Sequence, residues 1–172
     1  MEIWDVLDEN GNKTGKVIEK THQLPKGQYH LGVDVWIKNR KGEYLIQKRA
    51  PTKKRMPGKW MTTGGSALHN ENGVDAAIRE TFEELGIKVD ASKLVFLFRY
   101  RFNDCINEVW LLQQDIEENS IKLQSSEVSD VKWATENEII HLIDNQEMID
   151  YGKNYLADVF SERKHCTIQD FE

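Results

Sequence analysis

A short amphipathic segment with three glutamates on one face constrains this chain more than any other part of its sequence. Residues 73–85 place apolar side chains at the spacing of one helix face, and Gly86 follows in the position where helices commonly end. Glu80, Glu83 and Glu84 are three and four residues apart, so their carboxylates lie on one face within one turn. The pattern predicts a helix over about 73–85 that concentrates negative charge.

Like charges at this spacing repel, by about 0.2–0.5 kcal/mol for each pair in an isolated helix. A divalent cation would remove the repulsion, and carboxylate oxygens are ligands that suit Mg²⁺ and Mn²⁺. Arg79 can brace the cluster from within, because Asp75 lies four residues before it and Glu83 four after. The alternative is a solvated acidic face on a surface helix, and three glutamates alone are more typical of that alternative.

A longer motif surrounds the glutamates and favours the metal site. Its spacing is G-x5-E-x7-R-E-x-x-E-E-x-G-I, and its fixed positions are Gly65, Glu71, Arg79, Glu80, Glu83, Glu84, Gly86 and Ile87. This motif resembles the signature of the Nudix hydrolase family. One position departs from the pattern, because Thr81 stands where the family commonly has an aliphatic residue.

The resemblance implies that Glu80, Glu83 and Glu84 hold the metal ion, which is expected to be Mg²⁺, with Mn²⁺ as the alternative. Many Nudix enzymes place a further glutamate against the metal, and residues 126–133 resemble the stretch that carries it. Glu127 is therefore a candidate for an additional ligand or for the general base. An exposed loop carboxylate is the other interpretation of Glu127, and the base would then be sought at Glu80 or Glu83.

The remaining positions of the motif are implied to shape the site. Glu71 and Arg79 would help to hold the loop before the helix, and Gly65 would leave room for the backbone to approach the ion. Gly86 would end the helix in the left-handed conformation that glycine adopts readily.

Outside the motif, residues from about 2 to 142 resemble the Nudix branch that contains isopentenyl-diphosphate isomerase. In the isomerases an Arg-x-x-x-Lys pair holds the substrate diphosphate, and Arg49 and Lys53 have that spacing here. A guanidinium beside an ammonium is well suited to bind two phosphoryl groups. A solvated basic loop is the alternative.

The isomerase motif itself is missing. The isomerases carry Trp-Thr-Asn-Thr-Cys-Cys-Ser-His-Pro where residues 60–68 here read WMTTGGSAL, so two glycines stand in place of the cysteines and Ala67 in place of a metal-binding histidine. His30 matches another isomerase ligand and His22 lies near a third, but each is interpreted as structural or as facing the substrate. Cys105 falls in a predicted turn and is interpreted as inert.

The other segments predict strands that alternate with two further helices. The predicted elements are a hairpin over 2–18, a second hairpin from 31–37 to 44–46, strands over 94–102, 108–114 and near 131–133, a helix capped by Thr135 and Glu138, and a last helix over about 147–161. This order predicts an α/β fold, a Nudix-type α/β/α sandwich with a mixed sheet and an N-terminal β-hairpin, with residues 1–172 as a single domain.

Composition narrows the functional classes. A net charge of −6 argues against general nucleic-acid binding, and the chain has no apolar run of membrane-spanning length. Cys105 and Cys166 lie far apart and outside any ligand spacing, which fits a reducing compartment. The start of the chain lacks the pattern of a secretory leader, so the expected location is the cytoplasm.

Together these observations predict a Mg²⁺-dependent hydrolase that cleaves the diphosphate of a nucleoside diphosphate derivative or a related small molecule, of general form X–P–O–P–Y. The alternatives are isomerase-like activity and a non-catalytic sensor of nucleotides or sugar phosphates. The sequence does not identify the groups X and Y. It also leaves the oligomeric state open, with a homodimer as one alternative. Some aromatic residues could stack on a base, although aromatic residues in alternating strands are more often part of a core. They are Trp36, Trp60, Phe98, Tyr100 and Trp110.

Overall fold

The structure is a computed structural model that describes residues 2–20 and 24–170. Its strands and α-helices, in chain order, are β1 (Ile3–Leu7), β2 (Lys13–Glu19), β3 (His30–Lys38), β4 (Tyr44–Arg49), β5 (Trp60–Met61), β6 (Thr63–Ser66), α1 (Gly73–Leu85), β7 (Leu94–Phe102), β8 (Cys105–Gln113), β9 (Val128–Ala134), α2 (Glu136–Asp144), α3 (Lys153–Phe160) and β10 (Ile168–Gln169). In these two ranges, no helix is long and apolar enough to cross a membrane.

The strands form one hairpin and one larger mixed sheet. β1 and β2 pair with each other, while the eight-stranded sheet runs β10-β7-β8-β3-β4-β5, with β6 added on β3 and β9 on β4. β3 is parallel to β8 and β10 is parallel to β7, whereas the other pairs of this sheet are antiparallel. This arrangement confirms the predicted α/β fold with a mixed sheet and an N-terminal hairpin.

The sheet divides where β3 and β4 separate. These strands pair only at Ile37 with Leu45 and Lys38 with Tyr44. Beyond that point β3 pairs with β6, and β4 pairs with β5 and β9. The division places the Gly64–Gly65 pair of β6 beside β3.

Apolar layers cover both faces of the sheet. The residues of β3 with odd numbers, including Val33 and Val35, pack in the layer that contains α1, whereas Trp36 packs in the layer that contains α2 and α3. The strict alternation of apolar residues over 31–37 predicts one buried face for this strand, and helices on both sides bury the second face as well. β3 is therefore a central strand of an α/β/α sandwich.

Local capping explains the bounds of the first two helices. α1 begins after Asn72, which forms a reciprocal capping box with Asp75, and it ends at Gly86 with φ 68°. α2 begins after Thr135, whose side chain accepts a hydrogen bond from the backbone N–H of Glu138. Both the helix at 73–85 and the second capping box are as predicted.

The last helix is shorter than predicted. It was expected over about 147–161, but it begins at Lys153. The preceding segment is extended instead, because the Ile149 N–H donates to the Trp60 carbonyl at 3.0 Å and ties the chain to β5. Gly152 then takes φ 86°, a left-handed conformation that separates this segment from the helix.

Cys105 lies in a strand and not in a turn, which corrects the prediction for the β7–β8 connection. β8 was expected to begin near residue 108, but Cys105 already pairs with Phe102 across the hairpin. The turn consists of Asn103 and Asp104 alone, and Asn103 adopts φ 54°, which asparagine tolerates better than most residues.

Candidate active site

The guanidinium of Arg79 ties the loop before α1 to the helix. Its Nε and Nη2 donate to the two carboxylate oxygens of Glu71 at 2.7 and 2.9 Å, and Nη2 also donates to the carbonyl of Ser66 at 2.9 Å. Nη1 donates to Glu80 at 2.9 Å and to Glu83 at 3.0 Å. Hydrogen bonds from Arg79 lower the pKa of Glu71. Arg79 therefore fixes the loop and neutralises part of the acidic face.

Glu84 is the buried member of the glutamate cluster. Its Oε2 accepts a hydrogen bond from Gln47 Nε2 at 2.7 Å and a longer one from the Gly64 N–H at 3.4 Å. Burial, together with the nearby carboxylates of Glu80 and Glu127, raises the pKa of Glu84 to about 8. The negative charges of Glu80 and Glu127 thus act on Glu84, and a cation beside Glu84 would favour its ionised form.

Two glycines of β6 are required by the space around them. A Cβ atom on Gly65 would lie 2.3 Å from the carboxyl carbon of Glu80, and a Cβ atom on Gly64 would lie 2.1 Å from the carbonyl oxygen of Val33. Neither position accepts a side chain without movement of its neighbours.

Burial raises the pKa of Glu80, and Arg79 acts in the opposite direction.

The basic loop, which consists of residues 50–59 between β4 and β5, contacts the loop before β9. Lys53 Nζ lies 2.5 Å from Glu127 Oε2, and the Ala50 N–H donates to the Glu127 carbonyl at 2.8 Å. The structure thus brings together a predicted phosphate-binding residue and the predicted additional ligand or base. Both side chains are partly exposed, so substrate can reach them.

Arg49 is held by the same basic loop. Its Nε donates to the carbonyl of Arg55 at 3.0 Å, and its Nη1 lies 3.4 Å from the sulfur of Met61. Arg49, unlike Lys53, lines a large cleft in the described part of the chain. Of the two predicted phosphate-binding residues, Arg49 is the one placed to meet a ligand in the cleft.

The donor set fits a divalent cation, although the side chains are not yet arranged around one. Within residues 2–20 and 24–170, no group of three His, Cys, Asp or Glu side chains is positioned to hold a metal ion as it stands. Glu83 is half exposed and turned to Arg79. The fit rests on the oxygen-only chemistry of the motif carboxylates and on Gln47 Oε1, a buried acceptor beside Glu84 that has no partner among the described residues.

The cleft has a volume of about 680 Å³ and is lined by Gly64, Gly65 and Ser66 of β6. Gly65 links the cleft to the glutamate cluster, because it lines the cleft and a Cβ atom on it would meet the Glu80 carboxylate. The cleft continues over the ends of β3, β7 and β8 and under residues 143–151. A ligand at this border would have carboxylates at one end and a separate chamber at the other.

His30 and Cys105 lie together in the cleft wall. His30 stacks on Trp4 with ring centroids 3.9 Å apart, and Cys105 Sγ lies 3.8 Å from His30 Nδ1. Burial lowers the pKa of His30 and raises that of Cys105, which favours the neutral form of both. Ala67 packs in the apolar layer with α1, and His22 lies outside the described residues.

Sequence reasoning missed two polar residues that contact this region. Gln47 was not singled out, although a glutamine in the buried strand β4 is a signal for a specific partner, which is Glu84. Asp34 was also missed, although it interrupts the apolar strand β3 and lines the cleft. A charged residue in the middle of a central strand is the signal that could have found it.

Comparison with known proteins agrees with the geometry. The family model described as the NUDIX domain matches residues 28–154. An uncharacterized Nudix hydrolase of Listeria monocytogenes is 37% identical over 169 residues, covering 98% of this chain and 99% of the relative. An isopentenyl-diphosphate Delta-isomerase of Escherichia coli is 29% identical over 145 residues, covering 81% of this chain and 80% of the isomerase.

Solved structures share the fold at lower sequence identity. A Deinococcus radiodurans protein has a TM-score of 0.74 at 22% identity, covering 95% of this chain and all of that one. A MutT protein of Methanosarcina mazei has a TM-score of 0.60 at 24% identity, covering 78% of this chain and 91% of the other. With a family match over most of its length and a relative of nearly equal extent, this chain belongs to the Nudix hydrolase family.

Proposed function

We propose that this protein is a divalent-metal-dependent pyrophosphohydrolase that cleaves the diphosphate of a small molecule X–P–O–P–Y. The observation that carries the proposal is the position of two motif carboxylates at the border of the cleft, where Glu80 lies against Gly65 and Glu84 accepts a hydrogen bond from the Gly64 N–H. A diphosphate carries several negative charges, so its hydrolysis requires positive charge and an aligned water.

Glu80, Glu83 and Glu84 are the proposed ligands of the metal. Mg²⁺, or Mn²⁺ in its place, would supply the charge that neutralises phosphate oxygens and activates the attacking water. Arg79 holds Glu80 and Glu83 at the helix face, while its contacts with Glu71 keep the loop in place. Gly86 ends the helix directly after the cluster.

Arg49 and Lys53 are the proposed diphosphate-binding residues. Arg49 reaches the cleft and would bind the phosphoryl group that is not attacked. Lys53 is paired with Glu127, so an arriving phosphate would compete with that carboxylate for the ammonium. Release of Glu127 from Lys53 would leave its carboxylate available as a proton acceptor or as a further ligand.

Isomerase-like activity is less well supported. The E. coli relatives are isopentenyl-diphosphate isomerases, but glycines occupy the two positions that match their cysteines, and a Cβ there would displace the Val33 carbonyl in one case and the Glu80 carboxylate in the other. Cys105 reaches the cleft from another strand, β8, and so does not stand in the loop that carries the isomerase cysteine. A non-catalytic sensor would not need the whole set of carboxylates.

The test is hydrolysis of a panel of nucleoside diphosphates, dinucleotides, nucleotide sugars and prenyl diphosphates, each with Mg²⁺ and with excess chelator. Inorganic phosphate is measured directly for the nucleoside and prenyl diphosphates, and after phosphatase treatment of the monophosphate products for the other two classes. We expect Mg²⁺-dependent turnover of at least one class and loss of that turnover in Glu84→Gln. The matched control is Glu136→Gln, an exposed glutamate on α2. If no class is hydrolysed with Mg²⁺ or Mn²⁺, the hydrolase proposal is wrong.

A further inference from the structure

The carboxylate of Asp34 lies on the floor of the cleft, beyond the glycines of β6. Asp34 is only 8% exposed, yet it is one of the residues that line the cleft. In the sheet it stands opposite Gly64, whose missing side chain leaves the carboxylate open to the cleft. The diphosphate site proposed above does not use this residue.

A chain of hydrogen bonds orients the Asp34 carboxylate. Trp36 Nε1 donates to the Tyr155 hydroxyl at 2.9 Å, and that hydroxyl lies 2.9 Å from Asp34 Oδ2. An indole nitrogen can only donate, so Tyr155 accepts from Trp36 and directs its own hydrogen to Asp34. The hydroxyl of Tyr100 donates to the same oxygen at 2.8 Å. Asp34 is therefore held as an acceptor.

The second oxygen of this carboxylate is available for a ligand. Asp34 Oδ1 accepts no hydrogen bond from the residues that the structure describes, whereas Oδ2 accepts two. A ligand that covered this oxygen without supplying a donor would leave it desolvated, which is costly, and hydrogen bonds to charged groups are among the stronger ones in proteins. Burial raises the pKa of Asp34 and the two tyrosine hydroxyls oppose that effect. A donor that enters the cleft would complete the site.

The groups that share this face of the sheet and the cleft with Asp34 suit a flat, polar ring. Asn107 pairs in register with both Gly32 and Tyr100, so it lies on the same face of the sheet as Asp34. A Cβ atom on Gly32 would lie 2.2 Å from Asn107 Oδ1, so the missing side chain gives this amide its space. The rings of Tyr100, Phe102 and Tyr151 line the same cleft.

We infer that this end of the cleft is a specificity subsite that binds an amino-substituted aromatic ring, such as an amino-bearing nucleobase, with Asp34 accepting a hydrogen bond from the amino group. The Asp34 subsite consists of Asp34, Tyr100, Phe102, Asn107 and Tyr151. The inference rests on the proposed function for the position of the diphosphate, and it names the group X that the diphosphate carries.

The subsite excludes two other head groups. A prenyl chain would bury Asp34 Oδ1 without supplying a donor, which is costly because the carboxylate would lose its water as well. A ring with a carbonyl in place of the amino group would set its oxygen against the carboxylate. The volume of about 680 Å³ is in the range of pockets for ligands of nucleotide size.

The experiment compares matched diphosphates that differ by amino against carbonyl at one ring carbon, CDP with UDP and ADP with IDP. We expect kcat/KM with Mg²⁺ to be about tenfold or more higher for the amino member of at least one pair, which is the effect of one charged hydrogen bond. Asp34→Asn presents both a donor and an acceptor, so it should reduce that preference to about threefold or less. Equal kcat/KM within both pairs, or an unchanged preference in Asp34→Asn, overturns the inference.

Asp104→Asn is the matched control. It makes the same change of charge at another residue that lines the cleft, in the β7–β8 turn, and it should retain the preference. A loss of preference in both variants would mean that the net charge of the cleft decides selectivity, and the role of Asp34 would be wrong.

Binding without chemistry separates this inference from the proposed function. Calorimetry with CMP and UMP in the presence of chelator requires no turnover, and the wild-type protein alone can decide it if Asp34→Asn does not fold. Tighter binding of CMP in a protein that hydrolyses nothing supports the subsite and removes the hydrolase. Hydrolysis with no difference between CMP and UMP, or between the paired diphosphates, supports the hydrolase and removes the subsite.

Discussion

Lys53 and Glu127 form an ion pair, with Nζ 2.5 Å from Oε2, that joins the basic loop to the loop before β9. The pair links a proposed phosphate-binding residue to the proposed additional ligand or base. Partly exposed pairs of this kind contribute about 0–1 kcal/mol to stability. Substitutions at either residue should therefore change catalysis more than folding.

Glu127→Gln is expected to lower kcat, because the variant keeps the size of the side chain but loses its charge. If Glu127 accepts the proton, the acidic limb of the pH–rate profile should disappear while the Mg²⁺ requirement is unchanged. If Glu127 is a ligand, the Mg²⁺ concentration for half-maximal rate should rise. Wild-type kcat, pH profile and Mg²⁺ requirement together would reduce Glu127 to a solvated loop carboxylate.

Arg49→Ala should raise KM, and Lys53→Ala should raise it less. A guanidinium can bind a phosphoryl group through two parallel hydrogen bonds, whereas an ammonium acts as a point charge. Steady-state kinetics on the best substrate of the panel measures both effects. Lys41→Ala, on the exposed turn between β3 and β4, is the control for the loss of one positive charge. Unchanged kinetics in both variants would make the basic loop a solvated surface.

Glu84→Gln and Glu83→Gln should each lower kcat by roughly 10²–10⁴, the scale of losing electrostatic stabilisation of a transition state. The Tm of the two variants in the absence of metal should differ. Glu84 is buried with its pKa raised to about 8, so near pH 7 without metal its carboxyl is already mostly neutral, and a neutral amide of the same size should not lower Tm.

Thermal unfolding with and without Mg²⁺ tests the same site independently of turnover. Mg²⁺ should raise the Tm of the wild-type protein, because a ligand of the folded state stabilises it, and chelation should reverse the shift without unfolding the domain. Glu84→Gln should lose most of this shift, and Glu136→Gln should keep it. Retention of the full shift together with full activity in both Glu83→Gln and Glu84→Gln would remove the metal-site assignment.

The local parts of this site could be predicted from the sequence. The glutamate face, the helix at 73–85 and its end at Gly86 depend on residues within a few turns of one another, and the structure has that helix as predicted. The Asp34 chain could not be predicted, because Tyr155 lies 121 residues further along the chain and reaches Asp34 only after α3 packs on the sheet.

Aromatic residues show the same limit. Of those considered for stacking on a base, Tyr100 lines the cleft, while Trp36, Trp60 and Phe98 pack in one core layer and Trp110 in the other. Strand alternation gives the face of each residue but not what covers that face. The cover here comes from α2, α3 and the extended segment before α3, whose position depends on pairing with β5.

Glu71→Gln should destabilise the protein in a pH-dependent way. Hydrogen bonds from Arg79 lower the folded-state pKa of Glu71 below 4.5, so its contribution to stability is complete above that pH and is lost as the pH falls through the folded pKa. The difference in unfolding free energy between wild type and Glu71→Gln should be about 1–3 kcal/mol at pH 7 and should shrink below pH 4.5. Urea unfolding at several pH values measures it, and a constant difference down to pH 3 would contradict the role of the Arg79 pair.

Isopentenyl diphosphate incubated with this protein should not be converted to its allylic isomer. That reaction needs an acid and a base on opposite faces of a five-carbon unit, and the loop that carries the isomerase cysteine has glycines here. Gly64→Cys and Gly65→Cys should not rescue it, because a Cβ would collide with the Val33 carbonyl in one case and with Glu80 in the other.

Deuterium exchange from solvent into the prenyl group, followed by NMR, would detect slow isomerisation. The variant Cys105→Ala then shows whether the Cys105 thiol or another group of the protein supplies the acid. Cys105 is the one cysteine that lines the cleft in the described part of the chain, and burial raises its pKa, so its thiol stays protonated. Enzyme-dependent incorporation that Cys105→Ala abolishes would show that a thiol from β8 has replaced the missing cysteine, and it would overturn the hydrolase assignment. The expected result is no incorporation of deuterium, together with phosphate release from an amino-bearing nucleoside diphosphate. The amino group of that substrate supplies the hydrogen-bond donor for Asp34 that a prenyl chain lacks.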